Sequence, residues 1–101
     1  MKDISCTVNI RYDLPEKTPE KLLMVYQKMP GWMGTETSGI NQGIPSWFSF
    51  NTEEKHILAS VEPSGLQFDA KMDENEWKEW KAQFLDVASE ILGFKVIDPE
   101  D

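Results

Sequence analysis

The sequence predicts an α+β fold, a two-layer sandwich in which two helices cover one face of a mainly antiparallel sheet. Three observations carry that expectation. Residues 4–12, 56–62 and 66–72 alternate apolar and polar side chains with a period of two. Residues 22–29 and 77–92 repeat their apolar side chains at helical spacing, on one side only. Short polar turns join the later strands into a meander. One-sided helices and alternating strands bury their apolar surface most simply by facing each other. The expected order is β-α-β-β-β-α, with a possible last strand, in a single domain over residues 1–101.

The first strand places Ile4, Cys6, Val8, Ile10 and Tyr12 on one side and Ser5, Thr7, Asn9 and Arg11 on the other. Helix one follows Thr18, a good N-cap, and Pro19, which suits the first helical position. Leu22, Val25, Tyr26 and Met29 form its stripe, Met24 lies off it, and Pro30 with Gly31 ends it. Residues 31–46 read as neither helix nor strand. Gly31, Gly34, Gly39, Gly43 and Pro45 punctuate them, yet Trp32, Met33 and Ile40 are more than a plain linker needs.

The meander begins with Phe48 and Phe50 on one side and Trp47 and Ser49 on the other. Ile57, Ala59 and Val61 then face inward, and after the turn at Pro63–Gly65 so do Leu66, Phe68, Ala70 and Met72. Helix two has a capping-box-like start in Asp73 and Glu76, with Glu74 adding negative charge at its N-terminus. Trp77, Trp80, Phe84, Val87, Ala88, Ile91 and Leu92 form its stripe, with Glu79, Asp86 and Glu90 opposite. Gly93 is the expected left-handed cap. Phe94, Val96 and Ile97 are candidates for the last strand, and residues 96–101 form an acidic tail.

Charge narrows the function classes. The formal net charge is −8, and residues 72–101 hold nine of the eighteen acids but three of the ten bases. Such a chain repels nucleic acid and anionic lipid, so neither is an expected partner. A basic protein is its electrostatic complement. The one cysteine, Cys6, has no internal disulfide partner, and the N-terminus lacks a signal-peptide apolar region. A reducing, cytoplasmic setting is expected.

Few residues invite chemistry. A Cys6–His56 nucleophilic pair needs an exposed, activated thiolate, whereas Cys6 sits on the apolar side of its strand and His56 is expected at the surface. The carboxylates show no spacing that demands acid–base catalysis. No Cys or His cluster or calcium loop is present, and the glycines lead into a strand, not into a helix that would cradle phosphate. No catalytic residue, cofactor or metal is expected.

Trp77 and Trp80 belong to a core stripe, but Trp47 is expected on the open side of the sheet and Trp32 lies in the glycine loop. Either that loop folds back over a core edge, or the two indoles help build a contact surface. The second reading yields a partner-binding set of Trp32, Met33, Glu36, Trp47, Glu62, Asp69, Glu79, Asp86 and Glu90. In size, acidity and α+β build, the chain resembles the bacterial immunity proteins of toxin systems, with no shared motif. That resemblance implies a non-catalytic inhibitor of a basic toxin. Two other readings stand beside it. One is a ligand-binding domain or enzyme with a pocket between residues 31–46 and the sheet, lined by Glu36, His56, Trp47 and Glu62. The other is a subunit that self-associates, as a homodimer, through the open sheet face or a strand edge.

Overall fold

The computed structural model describes residues 1–10, 18–35, 44–51 and 53–99. Its elements run β1 (Lys2–Val8), α1 (Thr18–Lys28), β2 (Trp32–Thr35), β3 (Pro45–Trp47), β4 (His56–Glu62), β5 (Gly65–Met72) and α2 (Glu74–Leu92). The strands make one antiparallel sheet in the order β1-β5-β4-β3-β2. The α+β fold and the helical layer are as the patterning predicts. Expectations placed on Arg11, Tyr12, Glu36, Gly39, Ile40, Gly43 and the last two residues lie outside the described residues, as do the side chains of Thr18 and Pro19.

Register assigns every strand residue to a face. Ile4, Ala70, Ile57, Trp47 and Trp32 pair in one row across all five strands. Opposed residues share a face, so this row lies beneath the helices. Ser5, Asp69, Leu58, Ser46 and Gly34 pair in the neighbouring row and face the other way. On the helical side, Leu22, Val25, Tyr26 and Met29 of the first helical stripe are buried, as are Trp77, Trp80, Phe84 and Ala88 of α2. Met24 is exposed, as its place off the stripe predicts. The two helices also pack on each other.

Two expectations change. Residues 31–46 contain a strand: β2 pairs with β3, with a register irregularity between Trp32 and Gly34. Its four residues are too short, and too interrupted by glycine, to show alternation. Trp47, expected on the open side, is fully buried on the helical side. The cause is Phe48, whose backbone is left-handed at φ 72°. That conformation ends β3 at Trp47, so the alternation cannot be carried back from Phe48 and Phe50. The Phe48 N–H instead donates to the Gly31 carbonyl at 2.7 Å. Gly31 itself has φ 85°, and a Cβ there would collide with the Phe48 ring. This close approach is what its missing side chain permits.

Trp47 is the centre of an aromatic cluster. Its ring centroid lies 5.1 Å from Tyr26, 5.3 Å from Trp32, 6.2 Å from Phe68 and 5.1 Å from Trp80. Trp80 in turn stacks between Trp77 and Phe84 along α2. Two indole N–H groups satisfy backbone carbonyls where α1 ends: Trp47 donates to Tyr26 at 3.2 Å and Trp80 donates to Pro30 at 3.1 Å. The Tyr26 carbonyl also accepts from the Met29 N–H at 3.2 Å, so the indole bonds add ties that dock the end of α1 on β3 and α2. Burial raises the Tyr26 phenol well above its ordinary pKa.

Asp73 caps α2 by accepting from the N–H groups of Asn75 and Glu76, at 3.0 and 3.3 Å, and Gly93 closes it at φ 82°. The expected final strand does not form. Instead residues 94–98 lie along the end of β1, where Asn9 N–H donates to Ile97 C=O at 3.1 Å and Ile97 N–H donates to Asn9 Oδ1 at 2.7 Å. Val96 and Ile10 are buried there.

Trp47→Ala is predicted to cost about 3–5 kcal/mol, the range for deleting a buried large aromatic. Urea unfolding followed by circular dichroism measures it, and a loss below about 1 kcal/mol would contradict the placement of Trp47.

Candidate partner-binding site

The acids of α2 divide by structural role. Asp73 is the cap. Glu74 pairs with Lys2 at 3.3 Å, and Glu76 pairs with Lys55. Beyond the helix, Asp98 pairs with Lys81 at 3.2 Å. Glu79, Asp86 and Glu90 are exposed, and none takes part in an ion pair among the described residues. At 100° per residue the three fall within an arc of about 40°, along roughly 16 Å of helix. They form one outward acidic stripe, with Gln83 between them and Lys78 at its flank.

The other expected contact residues do not join that stripe. Asp69 and Glu62 lie on the far face of the sheet, with the whole core between them and α2. Asp69 Oδ1 accepts from Ser5 Oγ at 3.3 Å, and Glu62 Oε1 accepts from Ser60 Oγ at 2.6 Å. Met33 is exposed at the β2 edge. Trp32 is half-buried and stacks on Tyr26 at 5.9 Å, so the chain folds back there as the first of the two loop readings has it. Trp47 offers no surface. Glu36 lies outside the described residues.

Cys6 and His56 do not meet. Cys6 pairs with Phe68 on the helical side, and His56 pairs with Lys71 on the far side. The Cys6 thiol donates to Asp98 Oδ2 at 3.2 Å. His56, expected at the surface, is buried, and its Nδ1 lies 2.8 Å from the Glu54 carbonyl. Trp47 and His56 point to opposite sides of the sheet and so do not line one pocket together, while residues 36–43, which include Glu36, lie outside the described residues.

Two other depressions stand out. A groove of about 460 Å³ runs between α1 and the β3–β4 end, lined by Leu22, Leu23, Tyr26, Ile44, Pro45 and Val61 among others. Val61 lies beyond the helical cover and is half exposed. The groove's described lining holds no carboxylate or imidazole for acid–base work. The second is a cleft of about 420 Å³ on the far face of the sheet, whose lining includes Asp3, Ser5, His56, Leu58 and Asp69. Asp3 precedes the alternating run that marks β1 in the sequence, so nothing in the pattern joined it to Asp69 or His56.

No protein-family model, curated protein or solved structure matches this chain. Its own geometry therefore carries the functional argument. Among the described residues no group of three or more His, Cys, Asp or Glu side chains is arranged to hold a metal ion. No helix among them is long and apolar enough to cross a membrane.

The Lys81–Asp98 pair is mostly buried, with 14% and 12% of the two side chains exposed. Asp98→Asn is predicted to destabilise the chain by about 1–3 kcal/mol, between the values for a surface pair and a fully buried one. Chemical denaturation of that variant beside Glu74→Gln, whose lysine pair is exposed, measures the difference. Equal losses would place the Asp98 contact at the surface.

Proposed function

We propose that this chain is a small, acidic, non-catalytic binding protein for a basic protein partner, in the manner of the immunity proteins it resembles. The observation that supports this reading is the acidic stripe on α2. Glu74, Glu76 and Asp98 each hold a lysine within the fold, whereas Glu79, Asp86 and Glu90 form no ion pair among the described residues. An aligned set of solvated carboxylates on a rigid helix speeds encounter with a cationic surface and fixes its orientation. The net charge of −8 adds a long-range field of the same sign. A basic toxin is the occupant the resemblance implies, and a reducing cytoplasm is the setting that suits a lone cysteine.

The stripe differs from a merely solvated face in one measurable respect. The triple variant Glu79→Gln, Asp86→Asn, Glu90→Gln is predicted to keep its unfolding free energy within roughly 0.5 kcal/mol. Its affinity for the partner is predicted to fall by roughly tenfold or more. The partner is to be isolated from native extract on the unaltered chain, and its binding to the variant is then measured by calorimetry at two salt concentrations. Undiminished affinity, or affinity insensitive to salt, would refute the stripe as the contact surface.

A further inference from the structure

β1 is one edge of the sheet, with β5 on its inner side only. Its backbone shows which groups face out. The Val8 carbonyl points toward β5, where a Cβ on Gly65 would lie 2.2 Å from it. The Asn9 N–H points the other way, to the Ile97 carbonyl. Successive residues of a strand turn their N–H and C=O groups to alternate sides. Lys2, Ile4, Cys6 and Val8 therefore bond β5, and Asp3, Ser5 and Thr7 direct theirs outward. Those of Asp3 and Ser5 meet no partner among the described residues. Residues 94–98 cover only the other end of this edge, bonding Asn9 and, through Asp98, the Cys6 thiol.

The helical layer also stops short of this edge. Leu66, Phe68, Ala70 and Met72 of β5 are all buried, while Ile4 and Cys6 on the same face of β1 are half-buried. A groove of about 360 Å³ runs between residues 2–5 of β1 and α2, where Trp77, Lys78 and Lys81 are among its lining. An open backbone edge beside a groove for alternate side chains is the arrangement that takes up an added strand.

We infer that the added strand is β1 of a second copy of this chain, running antiparallel, with the two-fold axis at Ile4. The register selects this occupant. With the Asn9 end covered, pairing is confined to residues 2–6, so Ile4 opposes the partner's Ile4, Asp3 opposes the partner's Ser5, and Lys2 opposes the partner's Cys6. Apolar meets apolar beside the groove, a carboxylate meets a hydroxyl on the far face, and no like charges oppose. A shift one way would oppose the two Asp3 residues, and a shift the other way would run into residues 94–98. Charge agrees. The groove carries three lysines against two acids in a chain of net charge −8, so the copies meet where their acidity is least. The other edge, β2, has four residues and an irregular register, so β1 pairs with itself and the assembly closes at two. The α2 stripe points away from the seam, and the dimer stands or falls independently of it.

Sedimentation equilibrium of the native chain under reducing conditions, from roughly 10 μM to 1 mM, reads the association of so small a seam. The expected result is a reversible monomer–dimer equilibrium with no larger species. Ile4→Asp opposes like charges on the axis and should weaken the dimer by roughly tenfold or more. Met33→Ser, at the β2 edge, should leave it unchanged. Ile4→Cys gives a gain of signal that does not depend on a weakened variant. Residues opposed without a hydrogen bond lie about 4.5 Å apart at Cα, within disulfide reach. Oxidised glutathione, which takes up the two electrons and two protons, should therefore cross-link this variant roughly tenfold or more faster than Met24→Cys, whose site on α1 is exposed. A monomer throughout the concentration range, a dimer indifferent to Ile4→Asp or broken by Met33→Ser, or cross-linking no faster than that of Met24→Cys overturns the proposal.

Discussion

The fold is organised by the burial of Trp47. One indole on a three-residue strand touches both helices and the middle of the sheet, through Tyr26, Trp80 and Phe68, and its N–H closes the end of α1. A fully buried aromatic contributes several kcal/mol, a large share of the stability of a domain this size. Its position also explains the path of the chain around it. For Trp47 to face inward, β3 must stop there, and the left-handed Phe48 stops it. For Phe48 to sit beside Gly31, residue 31 must lack a side chain, and that contact sets the start of β2 against β3.

That arrangement shapes the surface. Four tryptophans in a chain of this length would ordinarily suggest aromatic anchors for a partner. Here Trp47, Trp77 and Trp80 are buried and Trp32 is stacked on the core edge. The large aromatic surface is consumed internally and is not offered to solvent. The exposed carboxylates of the α2 stripe and those of Asp69 and Glu62 lie on opposite sides of the sheet, and neither set involves a tryptophan.

Much of this was legible in the sequence because periodicity is strong where one face is buried. The α2 stripe, its Asp73 and Gly93 caps, the inward residues of β1 and β5, Ile57 and Ala59 of β4, and the outward place of Glu79, Asp86 and Glu90 all follow from spacing, whereas Val61, expected inward, is half exposed beyond the helical cover. What was not legible depends on single backbone angles and long-range pairing. Nothing in the run from Ser46 to Asn51 shows that Phe48 adopts positive φ, and one such residue reverses the face assigned to Trp47. Nothing local shows that Trp32 pairs with Trp47, or that the stretch after Phe94 runs beside Asn9 without becoming a strand. The cleft was hidden for the same reason. Asp3, His56 and Asp69 come from three strands, and only their shared register makes them neighbours.

The claim at the centre is that the tryptophans are spent on holding the fold and not on its surface. Acrylamide quenching of tryptophan emission tests it in the native chain without any substitution. The structure predicts a blue-shifted emission with quenching far below that of the urea-unfolded chain, and a small accessible fraction from Trp32 at most. A native quenching constant close to that of the unfolded chain would show that the indoles are exposed, and would contradict the account.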